Sequence, residues 1–311
     1  MDKPLNILLV GEEAAGVQTL RAVASSGHRI VAVVASPTKK ALGGMTLWNV
    51  AAKLGYATWP AKLVKDPNFA ETIRSEKVDI LLNIHSLFII HPEVLKVPRI
   101  GSFNMHPAPL PRYAGLNAVS WAIYRGERTH GVTIHQMVPE IDAGPIVYQA
   151  FFDIEMDTAL SLTAKCTQAG VRLVQRLLET AAADPKAIPR LPQDLTKREY
   201  FGTEIPENGR LSWSRSARDV VNFVRACDLF PFRSPWGYPR ARIGEREIAL
   251  VKACLSGRRG TVPGTVGQRV GSALHVACAD EWILVQKLIC EGHYLDSAEV
   301  LKPGDRLDDG H

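Results

Sequence analysis

The stretch SFNMHPAPLPRYAGLN (102–117) sets the amide of Asn104 and the imidazole of His106 two residues apart, then stiffens the chain with three prolines. An amide offers both donors and an acceptor, and an imidazole gains or loses a proton near neutral pH. Prolines fix φ and push the residues before them toward extended backbone, so the two polar groups stand beside a rigid wall. A carboxylate follows in EIDAGPIV (140–147), where Asp142 occupies an Asp-Ala-Gly-Pro turn. Reaching back over Asn104 and His106, it would orient the imidazole or accept its proton, which is acid–base chemistry. The alternative is plain: an Asn and a His that end a strand near solvent, and an Asp that bonds its own turn.

A strand positions the first pair. Side chains alternate along extended backbone, so Ile100, Ser102, Asn104 and His106 share one face of the apolar run Arg99–Met105. They emerge at its carboxyl end, where ligands bind in open α/β sheets. Upstream, continuous apolar strands (Leu5–Val10, Ile30–Ala35, Val78–Ile84) alternate with helical patterns over Val17–Ala24 and Thr46–Leu54. The expectation is an α/β fold, a doubly wound, mainly parallel sheet. GVTIHQMV (131–138) and GPIVYQAFF (144–152) are separated by too few residues for a crossover, so they form an antiparallel hairpin on one edge. Asp157–Leu178 reads as a long amphipathic helix. Residues 1–189 then form one domain and 190–206 a linker, within the stretch 185–206 that holds four prolines. Residues 207–311 hold a helix over Ser214–Arg225 and short strands, a small barrel-like β domain.

Composition excludes several classes. With 46% hydrophobic and 22% charged residues among 311, the chain builds ordinary cores. It has no apolar run of about 18 residues, so no spanning helix is expected, and its short apolar start reads as a first buried strand, since a signal peptide would need a longer apolar region. Five cysteines, an odd number without CxxC spacing, point to buried thiols in a reducing cytoplasm and away from a disulfide or zinc framework. GEEAAG (11–16) lacks the GxGxxG pattern of a dinucleotide site. The net charge of +5 is uneven: residues 207–270 hold twelve basic and five acidic residues, which suits an anionic partner or a solvated face. The aromatic run DLFPFRSPWGYPRAR (228–242) could stack a base or sugar, or pack as a domain junction.

The ordered set NMHPAPLPRYAG, GVTIH and DAG resembles the folate-dependent formyltransferases. FGTEIPENGRLSW and PGTVGQ…VACADEWILVQKL resemble the second domain of the two-domain members. That resemblance implies 10-formyltetrahydrofolate as donor, no metal, and catalytic roles for Asn104, His106 and Asp142. Asn104 and His106 would donate to the formyl oxygen as an amine attacks; one such donor is worth about 3 kcal/mol of barrier. Asp142 would orient His106 and help relay a proton. The pterin would lie against ILLNIHSLFII (80–90), at Leu87, Phe88 and Ile89, with Glu140, Ile141 and Ala143 opposite. His135 shares a strand face with Thr133 and Met137 and reads as structural; His85 and His91 have no assigned role.

Departures from the pattern bear on the acceptor. Ala108 and Pro109 stand where many relatives carry Ser-Leu, and only SPTKKALGGMTL (36–47) occupies the place of the long basic insertion of the methionyl-tRNA enzymes. YAGLNAVSWAI resembles small-amine formylases. The expected acceptor is therefore a small or carrier-linked amine, such as a nucleotide-linked amino sugar or an amino acid. Methionyl-tRNA formyltransferase is the first alternative. Formyl-folate hydrolysis and a non-catalytic RNA-binding protein follow. The oligomeric state stays open, and no membrane partner is expected.

Overall fold

The computed structural model describes residues 3–37, 46–86, 88–260 and 262–309. It divides into two compact units. The first comprises residues 1–116, 129–152 and 163–200; the second comprises 117–128, 153–162 and 201–311. The stretch expected as a linker, 190–206, is thus divided between them at Tyr200–Phe201.

The described elements begin with β1 (Asn6–Gly11), α1 (Glu13–Ala24), β2 (Arg29–Ala35), α2 (Leu47–Lys53), β3 (Thr58–Pro60) and α3 (Phe69–Ser75). They continue with β4 (Ile80–Ile84), α4 (Pro92–Leu95), β5 (Gly101–His106), the two-residue β6 (Ala114–Gly115) and α5 (Ala118–Tyr124). Next come β7 (Thr129–Gln136), β8 (Ile146–Asp153), α6 (Ala159–Ala183) and α7 (Ala217–Cys227). In the first unit the sheet runs β3-β2-β1-β4-β5-β7-β8. The pairs β2–β3, β1–β2, β1–β4 and β4–β5 are parallel, while β5–β7 is antiparallel. The expected mainly parallel sheet with β7 and β8 at one edge is therefore present. Ile7, Leu8, Leu9 and Val10 are all fully buried, as continuous apolar runs covered on both faces require.

The strand order reverses between β1 and β4, which opens a crevice at their carboxyl ends. Asp79 ties three strands into register at the other end. It accepts from the Asn6 N–H at 2.8 Å and pairs with Arg99 at 2.8 Å. Helix α6 runs past the expected Leu178 to Ala183, because TAAA offers no breaker before Asp184–Pro185. Helix α7 starts later than its apolar pattern suggests, at the cap supplied by Ser216, whose hydroxyl accepts from the Asp219 N–H at 3.1 Å.

The second unit packs α7 against an antiparallel sheet. Its strands run in the order 266–270, 273–277, 281–290, 246–259, 240–243 and 308–309, with 293–296 also paired to 281–290. Trp213, Val220, Val224, Leu250, Val276, Ile283 and Leu288 fill its core. The aromatic run 228–242 is partly internal to this unit: Trp236 meets Trp121 edge-on at 4.9 Å, and Phe230 stacks on Tyr294 at 5.9 Å. Among the described residues no helix is long and apolar enough to cross a membrane. Most of 36–47 lies outside the described residues.

Candidate active site

Parallel pairing of β4 and β5 sets Asn83 opposite Asn104. The Asn83 amide donates to the Asn104 carbonyl oxygen at 2.9 Å, which fixes the way Asn104 faces. Its Nδ2 then points at two acceptors, Asp142 Oδ1 at 3.2 Å and His135 Nε2 at 3.1 Å. His106, 5% exposed, uses Nε2 to donate to the Tyr113 carbonyl at 2.8 Å and turns Nδ1 toward Asp142 Oδ2 at 3.5 Å. Asp142 is also buried; its Oδ2 accepts from the Gly115 N–H at 2.9 Å, and Oδ1 lies 3.3 Å from His135 Nε2. The three residues expected to act together do converge.

Two tautomers are set by backbone. A carbonyl only accepts, so His106 carries its proton on Nε2 toward Tyr113, and His135 carries one on Nδ1 toward the Gln136 carbonyl at 3.0 Å. In the neutral rings, both nitrogens that face Asp142 hold lone pairs. The cluster can therefore take up a proton on either ring beside a carboxylate. Burial pushes the His106 imidazole below its ordinary range, against the opposing pull of Asp142 and the Tyr113 carbonyl; His135 and His85 add like-charge repulsion. Burial works against ionised Asp142, but His106, His135 and the Gly115 N–H outweigh it and hold the carboxyl well below the usual range.

The expected donors thus already have partners within the protein, as buried polar groups must. Asn104 spends its N–H groups on Asp142 and His135, and His106 spends its N–H on Tyr113.

The frame around the cluster is closely braced. Asp142 adopts a left-handed φ of 52° and Tyr113 one of 60°. A Cβ on Gly144 would stand 1.8 Å from the Gln136 carbonyl oxygen, so the Asp-Ala-Gly turn closes only with glycine there. Gln193 donates to the Asp142 and Gly144 carbonyls at 2.8 and 2.6 Å, and Arg198 donates to the Ile141 carbonyl at 2.8 Å. Thr133 holds the proline wall by donating to the Ala108 carbonyl at 2.6 Å and accepting from the Leu110 N–H at 3.2 Å.

Of the residues expected to line the pterin, Leu87 lies outside the described residues. Phe88 is partly buried beneath Lys65, whose ammonium sits 5.1 Å from the ring centroid. Ile89 is 67% exposed and Ile141 36% exposed, while Glu140 is exposed and Ala143 half-buried. Sequence reasoning missed Asn83, Gln193 and the part played by His135. His135 was signalled only as part of GVTIH, and the Asn-x-His repeat of 83–85 and 104–106 was the available sign of Asn83. Among the described residues, no three His, Cys, Asp or Glu side chains are grouped to hold a metal ion.

The formyl transferase model matches residues 5–178, and the formyl transferase C-terminal domain model matches residues 205–302. The chain belongs to the formyl transferase family. Among solved structures it is similar to HypX from Aquifex aeolicus in complex with tetrahydrofolic acid, at 20% identity and a TM-score of 0.69. That match covers 96% of this chain and 47% of HypX, so this chain spans about half the length of that protein. It is also similar to the N-formyltransferase from Helicobacter canadensis in complex with folinic acid and dTDP-3-aminofucose, at 17% identity and a TM-score of 0.70, covering 91% and 99% of the two chains. A sugar N-formyltransferase from Shewanella matches at 21% identity with a TM-score of 0.60, covering 74% of this family member and 91% of that chain. At these identities the likeness shows the shared formyl transferase fold.

Proposed function

We propose that this formyl transferase moves the formyl group of 10-formyltetrahydrofolate to the amine of a small or carrier-linked acceptor, a nucleotide-linked amino sugar or an amino acid. The observation that carries the reading is the convergence of Asn104, His106 and Asp142 at the carboxyl end of β5, on a proline-stiffened wall. The reading of the pterin site is supported by Ile89 and Ile141, whose apolar side chains are exposed on two loops at that end of the sheet. Bound there, 10-formyltetrahydrofolate supplies an activated formyl carbon. Phe88, Ile89, Glu140, Ile141 and Ala143, with Leu87, would hold it.

Asn104 donates to the formyl oxygen as negative charge gathers on it. A proton on His135 Nε2 would turn that ring from Asn104 to Asp142, releasing one Asn104 N–H for this task. Asp142 steadies whichever imidazole carries the charge. Two features favour a small amine: a folate- and dTDP-aminosugar-bound relative shares this fold, and the sequence departs from the tRNA enzymes at Ala108–Pro109. The five cysteines are free thiols, which supports work in a reducing cytoplasm.

The test is a screen of acceptors with 10-formyltetrahydrofolate, following tetrahydrofolate release. Turnover with dTDP-linked amino sugars or free amino acids, abolished in His106→Ala, is the expected result. Turnover only with charged initiator tRNA would replace the small-amine reading, and release without any acceptor would make the enzyme a hydrolase.

A further inference from the structure

His130 is a buried imidazole, 1% exposed, on β7. The formyl-transfer chemistry above leaves it unused. Its Nε2 lies 2.9 Å from the Pro107 carbonyl oxygen. A carbonyl only accepts, so His130 donates from Nε2. Its ring meets the Tyr113 ring edge-on, with centroids 5.9 Å apart. Both partners bear on His106. Pro107 follows it directly in the chain, and the Tyr113 carbonyl accepts from its Nε2 at 2.8 Å.

The proline wall consists of two three-residue turns in succession. The Ala108 N–H donates to the His106 carbonyl at 2.8 Å, and the Leu110 N–H donates to the Ala108 carbonyl at 3.1 Å. Turns of this kind give their middle residue a φ of about −75°, close to the angle at which proline is fixed. Pro107 and Pro109 are the two middle residues. Such a turn sets its own shape, but its tilt against the sheet depends on what its remaining polar groups bond. Thr133 of β7 bonds the second turn, at the Ala108 carbonyl and the Leu110 N–H. His130 of β7 bonds the first, which begins at His106 itself. Tyr113 needs holding too, because it keeps a left-handed φ of 60° without being glycine. Its buried ring is contacted by His130 and by the Arg112 guanidinium, 5.1 Å from the ring centroid.

We propose that His130 is a positioning residue for formyl transfer: its bond to the Pro107 carbonyl sets the orientation of the His106 ring. The inference rests on the formyl-transfer reading above. His106 presents a lone pair on Nδ1 to Asp142 only while its proton stays on Nε2, toward Tyr113. When the Pro107 carbonyl shifts, the His106 backbone shifts with it, and Nε2 parts from the Tyr113 carbonyl. The proton is then free to move to Nδ1. The nitrogen beside Asp142 loses its lone pair, and the cluster loses one of its two places for taking up a proton. His130 touches no reacting atom and acts through His106 alone.

Two variants separate the contacts of His130. His130→Phe keeps a ring edge toward Tyr113 and drops the donor. His130→Gln keeps an N–H donor at the ε position and drops the ring. The first measurement is the nitrogen NMR spectrum of the ring nitrogens, which reports which nitrogen of His106 holds the proton. The second is kcat with 10-formyltetrahydrofolate and hydroxylamine, a minimal nitrogen acceptor read as formohydroxamate. Calorimetric binding of 5-formyltetrahydrofolate is the third. The wild type and His130→Gln should hold the His106 proton on Nε2, and His130→Phe should share it between the two nitrogens. One lost hydrogen bond should lower kcat about tenfold in His130→Phe, with His130→Gln within about threefold of the wild type and donor binding within about twofold in both. A wild-type kcat or an unshifted His106 proton in His130→Phe would overturn the proposal, even with a lowered unfolding midpoint. So would a kcat that falls equally in both variants. Should His130→Phe not fold, His130→Gln decides: a folded His130→Gln that has lost the Nε2 proton of His106 refutes the role, and one that keeps it with near wild-type kcat supports it. A wild-type enzyme that formylates no amine sinks the formyl-transfer reading, and the ring-nitrogen spectra, which need no substrate, still decide whether His130 sets His106.

Discussion

Asn83 donates its side-chain amide to the carbonyl oxygen of Asn104 across 2.9 Å, and so decides which end of Asn104 faces Asp142. An amide can present either its oxygen or its nitrogen to a neighbour. Here the wrong choice would set an oxygen against a carboxylate. The strand register makes the choice, because it sets the two asparagines side by side.

Replacing Asn83 with Leu removes that control and leaves the Asn104 oxygen buried without its donor. A buried group left unsatisfied costs about 1–3 kcal/mol. Asn83→Leu should therefore lower kcat by about 10- to 100-fold while donor affinity changes little. Steady-state kinetics with 10-formyltetrahydrofolate, together with calorimetric binding of 5-formyltetrahydrofolate, checks both halves. A variant with wild-type kcat would show that Asn104 keeps its orientation by other means.

Gln193 bonds two carbonyls of the Asp142 turn, at 2.8 and 2.6 Å, from a segment far along the chain. Gln193→Ala leaves both oxygens without that donor and should cost about 1–3 kcal/mol of stability. Because the turn carries Asp142, kcat should fall as well. The discriminating measurement is the unfolding midpoint beside kcat in the same preparation: loss of stability with intact kcat would mean the turn is held without it.

His106 makes stability depend on pH in a definite direction. Burial lowers its pKa in the folded enzyme, whereas the unfolded chain has the ordinary value of about 6.5. Below that value the unfolded chain binds more protons, so its contribution is complete above about pH 6.5 and is lost as pH falls toward the lower folded pKa. Asp142, also depressed, contributes above its unfolded value of about 3.9 and loses that contribution only in stronger acid. Thermal unfolding at pH 7.5 and 5.5 should thus show a drop in midpoint for the wild type that is smaller in His106→Gln. An equal drop in both would place the pH dependence elsewhere.

The sheet was legible because its strands are continuous apolar runs, and Asn104 and His106 because alternation along one strand puts them on one face. Asp142 was legible as a turn residue whose carboxylate could reach back to His106, and the family pattern favoured that contact over an Asp that only bonds its own turn. The hydrogen-bonding detail was hidden for a physical reason. It depends on cross-strand register, which pairs Asn83 with Asn104, and on carbonyls such as those of Tyr113 and Gln136, which choose the tautomers of His106 and His135. Periodicity reports which face a residue takes, and says nothing of which atom of an amide or imidazole meets its neighbour. Gln193 lay in a proline-rich stretch without periodicity, so nothing local linked it to a turn some fifty residues earlier.

Gly144 links the sequence motif to the geometry most directly. The Asp-Ala-Gly turn brings its backbone against the end of β7, and a Cβ at Gly144 would fall 1.8 Å from the Gln136 carbonyl oxygen. No rotamer relieves such a contact, since both partners are backbone. Gly144→Ala must displace the turn, and with it Asp142 and the carbonyls that Gln193 holds. Overpacking of this kind costs about 1–3 kcal/mol, or more where backbone must move. The expected result is a lower unfolding midpoint and a kcat reduced at least as far as in Asp142→Asn, with donor binding weakened because Ile141 and Ala143 move too. Gly126 provides the control: its φ of 70° resists alanine for conformational reasons, but its nearest neighbour is the end of the Asn222 side chain at 3.1 Å. Gly126→Ala should lower stability while leaving donor binding and the pH profile of catalysis unchanged. Matching kinetic behaviour in the two variants would refute a specific role for the close approach at Gly144.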